Sequence, residues 1–439
     1  MNRMKKWGIS LSAIALVATM TACGSSNDQN GAASTNAGDS GKGGEPIKLG
    51  ITWAGSQNRH TATLNSTELY SKLHPNITFS PDYMGFDTYF TKLATLSAAK
   101  NLPDIIQIDT SNIVDYAQRG QFLDLGGTID TSAVDKTLVS AGMVDGKQYG
   151  IPIGSNAIAL MYNKTALDKL GVNVPAEGLS WDEWIEAARK VQPKLEKGKY
   201  LLEDFSISTI TQESDKYEIY QLSKGKGFLT TADGKFNIDR DTFIEFNNLF
   251  EDLRKEGLVP PADVTVAHKA GDPKLDNFLN GTTLIKRDYA AAFPSYNSVN
   301  PGQYAITVVP HAEHSGAWLV PTQFFAVSAD TKHPDEAKAY IDWFINDKDA
   351  GAALGLSRGV VVNKSVLETL QETLSDQDKA QIDIIDRTAP VANQFPGRPQ
   401  GYGVWTDEYA KVSQALGFGQ IDPEKAFDQL KQKWDEIVK

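Results

Sequence analysis

Between residues 49 and 109 the chain alternates short apolar runs with helix-like stretches, and this alternation restricts the possible folds more than any other feature. The run LGITWA (49–54) reads as a buried strand that turns through Gly55-Ser56. Residues 60–73 then place Leu69 and Leu73 four apart and end at His74-Pro75, as a helix does. Residues 77–84 read as a second strand, and Phe86-Asp87 opens a helix through Leu93, Leu96 and Ala98. Pro103-Asp104 introduces Ile105, Ile106 and Ile108, a third strand ending in Asp109. Strand-helix-strand-helix-strand predicts an α/β fold with a parallel sheet covered by helices. In such sheets ligands sit beyond the C-terminal strand ends. The first turn therefore offers Trp53, Ser56, Gln57, Asn58, Arg59 and His60 to a ligand.

The N-terminus is a different kind of segment. Arg3, Lys5 and Lys6 precede an apolar run over residues 7–20, which closes on Met20-Thr-Ala-Cys-Gly24. A basic start, a short apolar run and small residues at the cut make residues 1–22 a secretory signal peptide rather than a membrane span. Cys23 is the single cysteine, so it can form neither an internal disulfide nor a multi-cysteine metal site. Its position resembles a bacterial lipobox, which implies lipid attachment to its sulfur. Residues 23–45 are mostly small and polar and read as a flexible tether.

With 439 residues, 41% apolar and 22% charged, the chain is long enough for two or three domains of ordinary globular composition. Removing residues 1–22 would take away three basic residues and no acidic ones, moving the net charge from −12 to −15. A body of that charge lacks the basic face that nucleic acid requires.

Further along, Asp145-Gly146 predicts a hairpin turn. Residues 149–162 form a long extended stretch interrupted by Gly150, Pro152 and Gly154, long enough for its two halves to serve different sheets. Residues 163–315 are more helical: Ser180-Trp-Asp-Glu183 is a capping box, Asp233-Gly234 another turn, and a helix from Asp241 stops at Gly257. Residue 285 begins a strand leading to Lys286-Arg287-Asp288-Tyr289. Residues 318–328 are extended and apolar, 334–344 helical, and 355–362 read as a third extended crossing. The resulting division is an N-terminal lobe of residues 46–154 plus 322–357 and a C-terminal lobe of residues 155–321 plus 358–439.

Compact catalytic motifs fail on context. Gly355-Leu-Ser-Arg-Gly359 fits G-x-S-x-G, but no histidine follows it and a β-branched run replaces the required helix. His311 and His314 flank Glu313 in a loop without a third metal ligand at suitable spacing. Asn237-Ile-Asp239-Arg-Asp241 lacks the glycine and glutamate of a calcium loop. No cofactor or metal is expected. The remaining signal is distributed over predicted strand ends and crossings: Trp53, Arg59, His60, Asp87, Asp109, Asn156, Arg287, Tyr289, Trp318, Arg358 and Trp405. Aromatic rings suit the C–H faces of sugars, and planar polar groups suit their paired hydroxyls.

The lipobox, the tether, the segment from Ile51-Thr-Trp-Ala-Gly55 to Arg59-His60, Leu102-Pro-Asp-Ile-Ile-Gln-Ile-Asp109 and Asp145-Gly-Lys-Gln-Tyr-Gly-Ile-Pro152 together resemble family 1 extracellular solute-binding proteins of bacterial ABC sugar importers. The loop at Trp53…Arg59-His60 and the segment Arg358-Gly-Val-Val361 are most similar to the branch serving plant-polysaccharide and pectic oligosaccharides. The resemblance implies a two-lobed periplasmic-binding-protein-like fold (type II), each lobe a mixed sheet flanked by helices and joined by hinge crossings. It implies a lipid-anchored monomer on the extracytoplasmic face of the cell membrane that captures an oligosaccharide and delivers it to ABC permease subunits without catalysis. It also places Trp53, Arg59, Asp109, Asn156, Arg287 and Trp405 along the cleft. Phe86 and the charged run at 286–289 depart from the usual pattern, so a uronate-containing ligand paired with Arg59, Arg287 and Arg358 is an alternative. A lipid-anchored glycoside hydrolase, and an adhesin or structural lipoprotein, are the other classes to be separated.

Overall fold

The computed structural model describes residues 45–209, 215–270 and 272–437. The signal peptide, Cys23 and the tether up to residue 44 lie outside the described residues. In the first sheet, β1 (Ile47–Ala54) and β2 (Ile77–Met84) are joined by helix α1 (Gln57–Leu73). Helix α2 (Phe86–Ala98) leads from β2 to β3 (Ile105–Ile108), so the expected strand-helix alternation is present. β1 pairs in parallel with both neighbours, with Ile47 opposite Ile77 and Ile51 opposite Ile105. Parallel strands need crossover connections, and α1 and α2 supply them.

The Asp145-Gly146 turn connects β4 (Met143–Val144) to β5 (Lys147–Gln148), with φ of 50° and 79° at the two turn residues. Positive φ at both positions is the geometry that matches the twist of a two-stranded ribbon.

β6 (Ile151–Asn163) is the long extended segment anticipated around Gly154, and all but one of its 13 residues are buried. Next come β7 (Ile285–Tyr289), β8 (Tyr304–Val308) and β9 (Leu319–Val327). The first part of β6 lies antiparallel to β9 from Ile151 to Ala157, with register shifts around Gly154. Its second part pairs antiparallel with β7 on one side and β8 on the other. β9 in turn runs antiparallel to β3, giving the order β2-β1-β3-β9-β6-β7 with β8 also on β6. The first sheet, β2-β1-β3-β9 with the first part of β6, is thus mixed, whereas the second part of β6 forms a second, antiparallel sheet with β7 and β8. β8 has no counterpart among the sequence expectations, because YAITV is too short and weakly alternating to announce itself.

Two expected strands are reduced. The segment near Gly359 touches β6 only through a bridge between Ser155 and Val360, and the Asp233-Gly234 turn closes a single bridge between Thr230 and Phe236. The capping box is complete: the Ser180 N–H donates to Glu183 Oε2 at 2.8 Å, and the Glu183 N–H donates to Ser180 Oγ at 3.3 Å. It starts the helix Trp181–Val191, which buries Trp181, Trp184, Ile185, Ala188 and Val191.

One core packs β1, β3 and β9 against α1 and the helix Pro334–Asn346, centred on Ile51, Phe325, Tyr340 and Phe344. Another gathers the aromatic residues of the second half, including Trp184, Phe246, Phe250 and Trp405. Among the described residues no helix is long and apolar enough to cross a membrane.

Candidate functional site

A cleft of about 480 Å³ lies where β6, paired with β9, continues from the first sheet into the second. Arg59, Phe86 and Asp109 line it from the side of the first sheet. Tyr289, Arg398 and Tyr402 line it from the other side, while Asn156, Trp318 and Gln323 form its floor. A second cavity of about 590 Å³ is larger, but its lining, including His311 and His314, contains no residue before Ala176. It therefore receives nothing from β1, β3 or their helices, whereas the first cavity is lined from both sheets.

Arg59 stands in the first turn of α1. Its Nε donates to the Ser357 carbonyl at 3.2 Å and its Nη1 to the Ala54 carbonyl at 3.4 Å. The guanidinium also lies 5.5 Å from the centre of the Phe86 ring, a cation–π arrangement. Burial pulls its pKa below the ordinary arginine value. Asp109, at the end of β3, accepts three hydrogen bonds on Oδ1: from the Ser111 N–H at 3.1 Å, the Asn112 N–H at 3.0 Å and Asn112 Nδ2 at 2.8 Å. Desolvation raises its pKa despite these donors. Asn156 Oδ1 accepts from the backbone N–H groups of Ala157 and Ala291 at 2.9 and 3.1 Å, tying β6 to the segment after β7.

Two buried ion pairs support the far wall. Arg398 engages Glu218 through both guanidinium nitrogens and lies 4.4 Å from the centre of the Tyr402 ring. Arg287 is paired with Asp215 and lies 4.7 Å from the centre of the Tyr289 ring. These partners neutralise each other inside the protein.

Of the residues singled out from sequence, Arg59, Asp109, Asn156, Tyr289 and Trp318 line the cleft together. The Asp87 side chain lies outside the described residues. Trp53 is fully buried: its Nε1 donates to His60 Nδ1 at 3.1 Å and its ring stacks on Tyr83 with centroids 5.0 Å apart. His60 is thereby held as the neutral tautomer with its proton on Nε2, and burial with nearby Arg358 and Arg59 lowers its pKa.

Arg358 is another buried support rather than part of the lining. Its Nε and Nη2 donate to Thr63 Oγ1 at 3.2 and 2.8 Å, and Nη1 donates to Gln107 Oε1 at 2.7 Å. Burial, then repulsion from Arg59, brings its pKa down to about 9. Arg287 is also absent from the lining because Asp215 holds it.

Trp405 sits in the core, fully buried, with Nε1 donating to the Leu430 carbonyl at 3.0 Å. Its helix, Tyr402–Gly417, presents Tyr402, Gly403 and Thr406 to the cleft and turns Trp405 inward. Sequence reading identified the correct turn but the wrong face. Arg398 was missed because its loop has no periodicity, and Gln323 was hidden inside an apolar run. The polar pair Thr322-Gln323 interrupting that run was the available signal.

Two sheets joined by the shared strand β6, with a polar and aromatic cleft at the junction, define a two-lobed ligand receptor. The chain belongs to the bacterial extracellular solute-binding protein family, which it matches over residues 67–382. It is 28% identical to a family 1 extracellular solute-binding protein from Alicyclobacillus acidocaldarius, covering 90% of this chain and 98% of that one, with a TM-score of 0.75. It is 24% identical to the maltodextrin-binding protein MdxE of Bacillus subtilis over 70% of this chain and 71% of that protein. A periplasmic oligogalacturonide binding protein from Yersinia enterocolitica shares the fold at 22% identity and a TM-score of 0.72, covering 89% and 98% of the two chains.

Proposed function

We propose that the protein is the substrate-binding lipoprotein of an ABC importer, capturing an oligosaccharide in the cleft and presenting it to a membrane permease. The observation that carries this reading is the shared lining of the cleft. Arg59, Phe86 and Asp109 face Tyr289, Arg398 and Tyr402 across a floor made by β6, the strand common to both sheets, and by β9 with the residue before it. Aromatic rings beside guanidinium, carboxylate and amide groups match the alternating C–H and hydroxyl surfaces of a sugar. The sugar-binding descriptions of MdxE and the Yersinia protein point the same way.

In this reading, residues 46–154 plus 322–357 form one lobe and residues 155–321 plus 358–439 the other. The lobes close about the crossings near Gly154, Gln323 and Gly359. Ligand contacts to both lobes shift the population towards the closed form. Arg59, Asp109, Asn156, Tyr289 and Trp318 contact sugar, while Trp53, His60, Arg287 and Arg358 hold the walls from behind. No chemical step is assigned to the protein. Residues 1–22 direct secretion, and Cys23 carries the lipid that anchors a monomer to the extracytoplasmic face of the membrane through the tether.

A uronate-containing ligand is a second reading, favoured by the charge around Arg59. Arg398 and Arg287 are neutralised by Glu218 and Asp215, whereas Arg59 and Arg358 have no ion-pair partner among the described residues. Two guanidinium groups therefore stand against the single carboxylate of Asp109. Arg59 also occupies the first turn of a helix, where the macrodipole disfavours a cation and favours an anion. Of these two unpaired groups only Arg59 lines the cleft, so it is the one that would meet a sugar carboxylate.

A thermal-shift screen of the full-length protein against neutral and uronic oligosaccharides tests both readings. At a hundredfold excess over Kd, a ligand stabilises the native state by about 2.7 kcal/mol. Maltotriose, xylotriose and trigalacturonate separate neutral from acidic recognition. The absence of any shift, or the release of shorter sugars, would refute the receptor assignment proposed here.

A further inference from the structure

The two walls of the cleft also meet at a contact that does not involve β6. On the side of the first sheet, Asp109, Thr110 and Ser111 line the cleft and lead into the helix Ile113–Gln118, which carries Asp115. On the other side Arg398 and Tyr402 line it, and Gln400 lies between them in sequence. Gln400 Nε2 donates to Asp115 Oδ1 at 3.1 Å. Neither Gln400 nor Asp115 lines the cleft itself, and Gln400 is exposed.

Both partners are oriented by their own surroundings. Asp115 Oδ2 pairs with Arg119 at 2.8 Å, one helical turn on, which leaves Oδ1 for Gln400. Gln400 stands in a short segment between Gly397 and Gly401, whose φ of 83° and 85° turn the chain at both ends. The buried Arg398–Glu218 pair fastens this segment to its own wall. Further back, Gln394 Nε2 makes a longer contact of 3.4 Å with Ser140 Oγ, in the helix Lys136–Ser140. Residues 394–400 thus reach the opposite wall at both ends, while Phe395 and Arg398 between them face the cleft.

We propose that Gln400 and Asp115 form a clasp between the lobes, which favours the closed arrangement without touching the sugar. This rests on the receptor reading above. Opening about the crossings near Gly154 parts the walls and breaks the bond, and closure remakes it. A ligand-free protein that samples both arrangements is therefore closed for a larger fraction of the time, and its apparent affinity for sugar rises by the same factor. Gln400 is a positioning residue in this scheme. One hydrogen bond of this kind supplies a factor of about three to five.

Calorimetry on the full-length Gln400→Ala, Asp115→Ala and double variants tests the clasp, using whichever of maltotriose, xylotriose and trigalacturonate binds the wild type. Each single variant should bind about three- to fivefold more weakly. Its melting temperature should stay within about 2 °C of the wild type, because neither side chain is buried. The double variant should bind no more weakly than either single one, since both substitutions remove the same bond. Small-angle scattering without ligand should give all three variants a larger radius of gyration. Wild-type affinity in either single variant, or losses that multiply in the double variant, would overturn the proposal. So would a loss confined to Gln400→Ala, which would mean that this residue meets the sugar itself. If no sugar binds the wild type, the oligosaccharide reading fails separately, and the ligand-free scattering decides the clasp: an unchanged radius overturns it.

Discussion

A β-carbon on Gly154 would lie 2.0 Å from the carbonyl oxygen of Arg358, so these two crossing segments can approach as they do only because residue 154 has no side chain. Gly359 reinforces the junction with a φ of 95° and no room beside Ser155 and Thr322. Backbone hydrogen bonds between Ser155 and Val360, at 2.7 and 2.9 Å in the two directions, hold the segments together.

Gly154→Ala should therefore force the crossings apart, destabilising the protein by about 2–3 kcal/mol or more. Chemical denaturation measures the loss, and small-angle scattering with and without ligand should show impaired closure. A variant of wild-type stability and wild-type closure would show that the crossing tolerates separation.

His60 gives a pH prediction. Its folded pKa lies below the ordinary value of 6.5, chiefly through burial, with Arg358 and Arg59 adding to the effect. As pH falls through 6.5 the unfolded chain takes up the proton first, so the native state loses stability until pH passes the lowered folded value. His60→Asn retains an acceptor for Trp53 Nε1 and removes this titration. The expected result is a smaller loss of melting temperature between pH 7 and 5 than in the wild type. Equal pH slopes for the two proteins would contradict the buried neutral assignment.

Trp405 and Phe86 should separate stability from binding. Trp405 is fully buried, and Trp405→Ala should cost about 3–5 kcal/mol of stability. Phe86 is 43% exposed beside Arg59. Phe86→Ala should change stability by less than about 1 kcal/mol while weakening ligand binding several-fold. Denaturation and calorimetry on both variants check this. The converse pattern would mean that the two aromatic residues have been assigned to the wrong environments.

The contrast between these aromatics shows what was legible in the sequence. Elements with strong local signals were readable: the alternation from β1 to β3, the Asp145-Gly146 turn, the Ser180 capping box and the long extended run of β6. Cleft residues such as Asp109, just after β3, and Arg59, in the first turn of the helix after β1, followed from the position of those elements. What depends on distant partners was not readable. The helix Asp215–Ser223 contains Asp215, Lys216, Glu218 and Gln221, yet every residue in it is buried. Its charges are accommodated because Arg287 pairs with Asp215, Glu203 with Lys216 and Arg398 with Glu218. Arg358 likewise reads as a cleft cation until Thr63 and Gln107 are seen to hold it inside. Charge pattern reveals that such groups exist, but only tertiary packing decides whether a ligand or another part of the chain meets them.

The most direct test of the central claim is titration calorimetry of the full-length protein with maltotriose, xylotriose and trigalacturonate, repeated on Arg59→Ala and accompanied by product analysis. The account predicts saturable binding of one sugar per chain, no cleavage, and roughly tenfold or greater weakening in the variant. No binding of any oligosaccharide, or equal affinity after removal of Arg59, would contradict the assignment of this cleft as the sugar site.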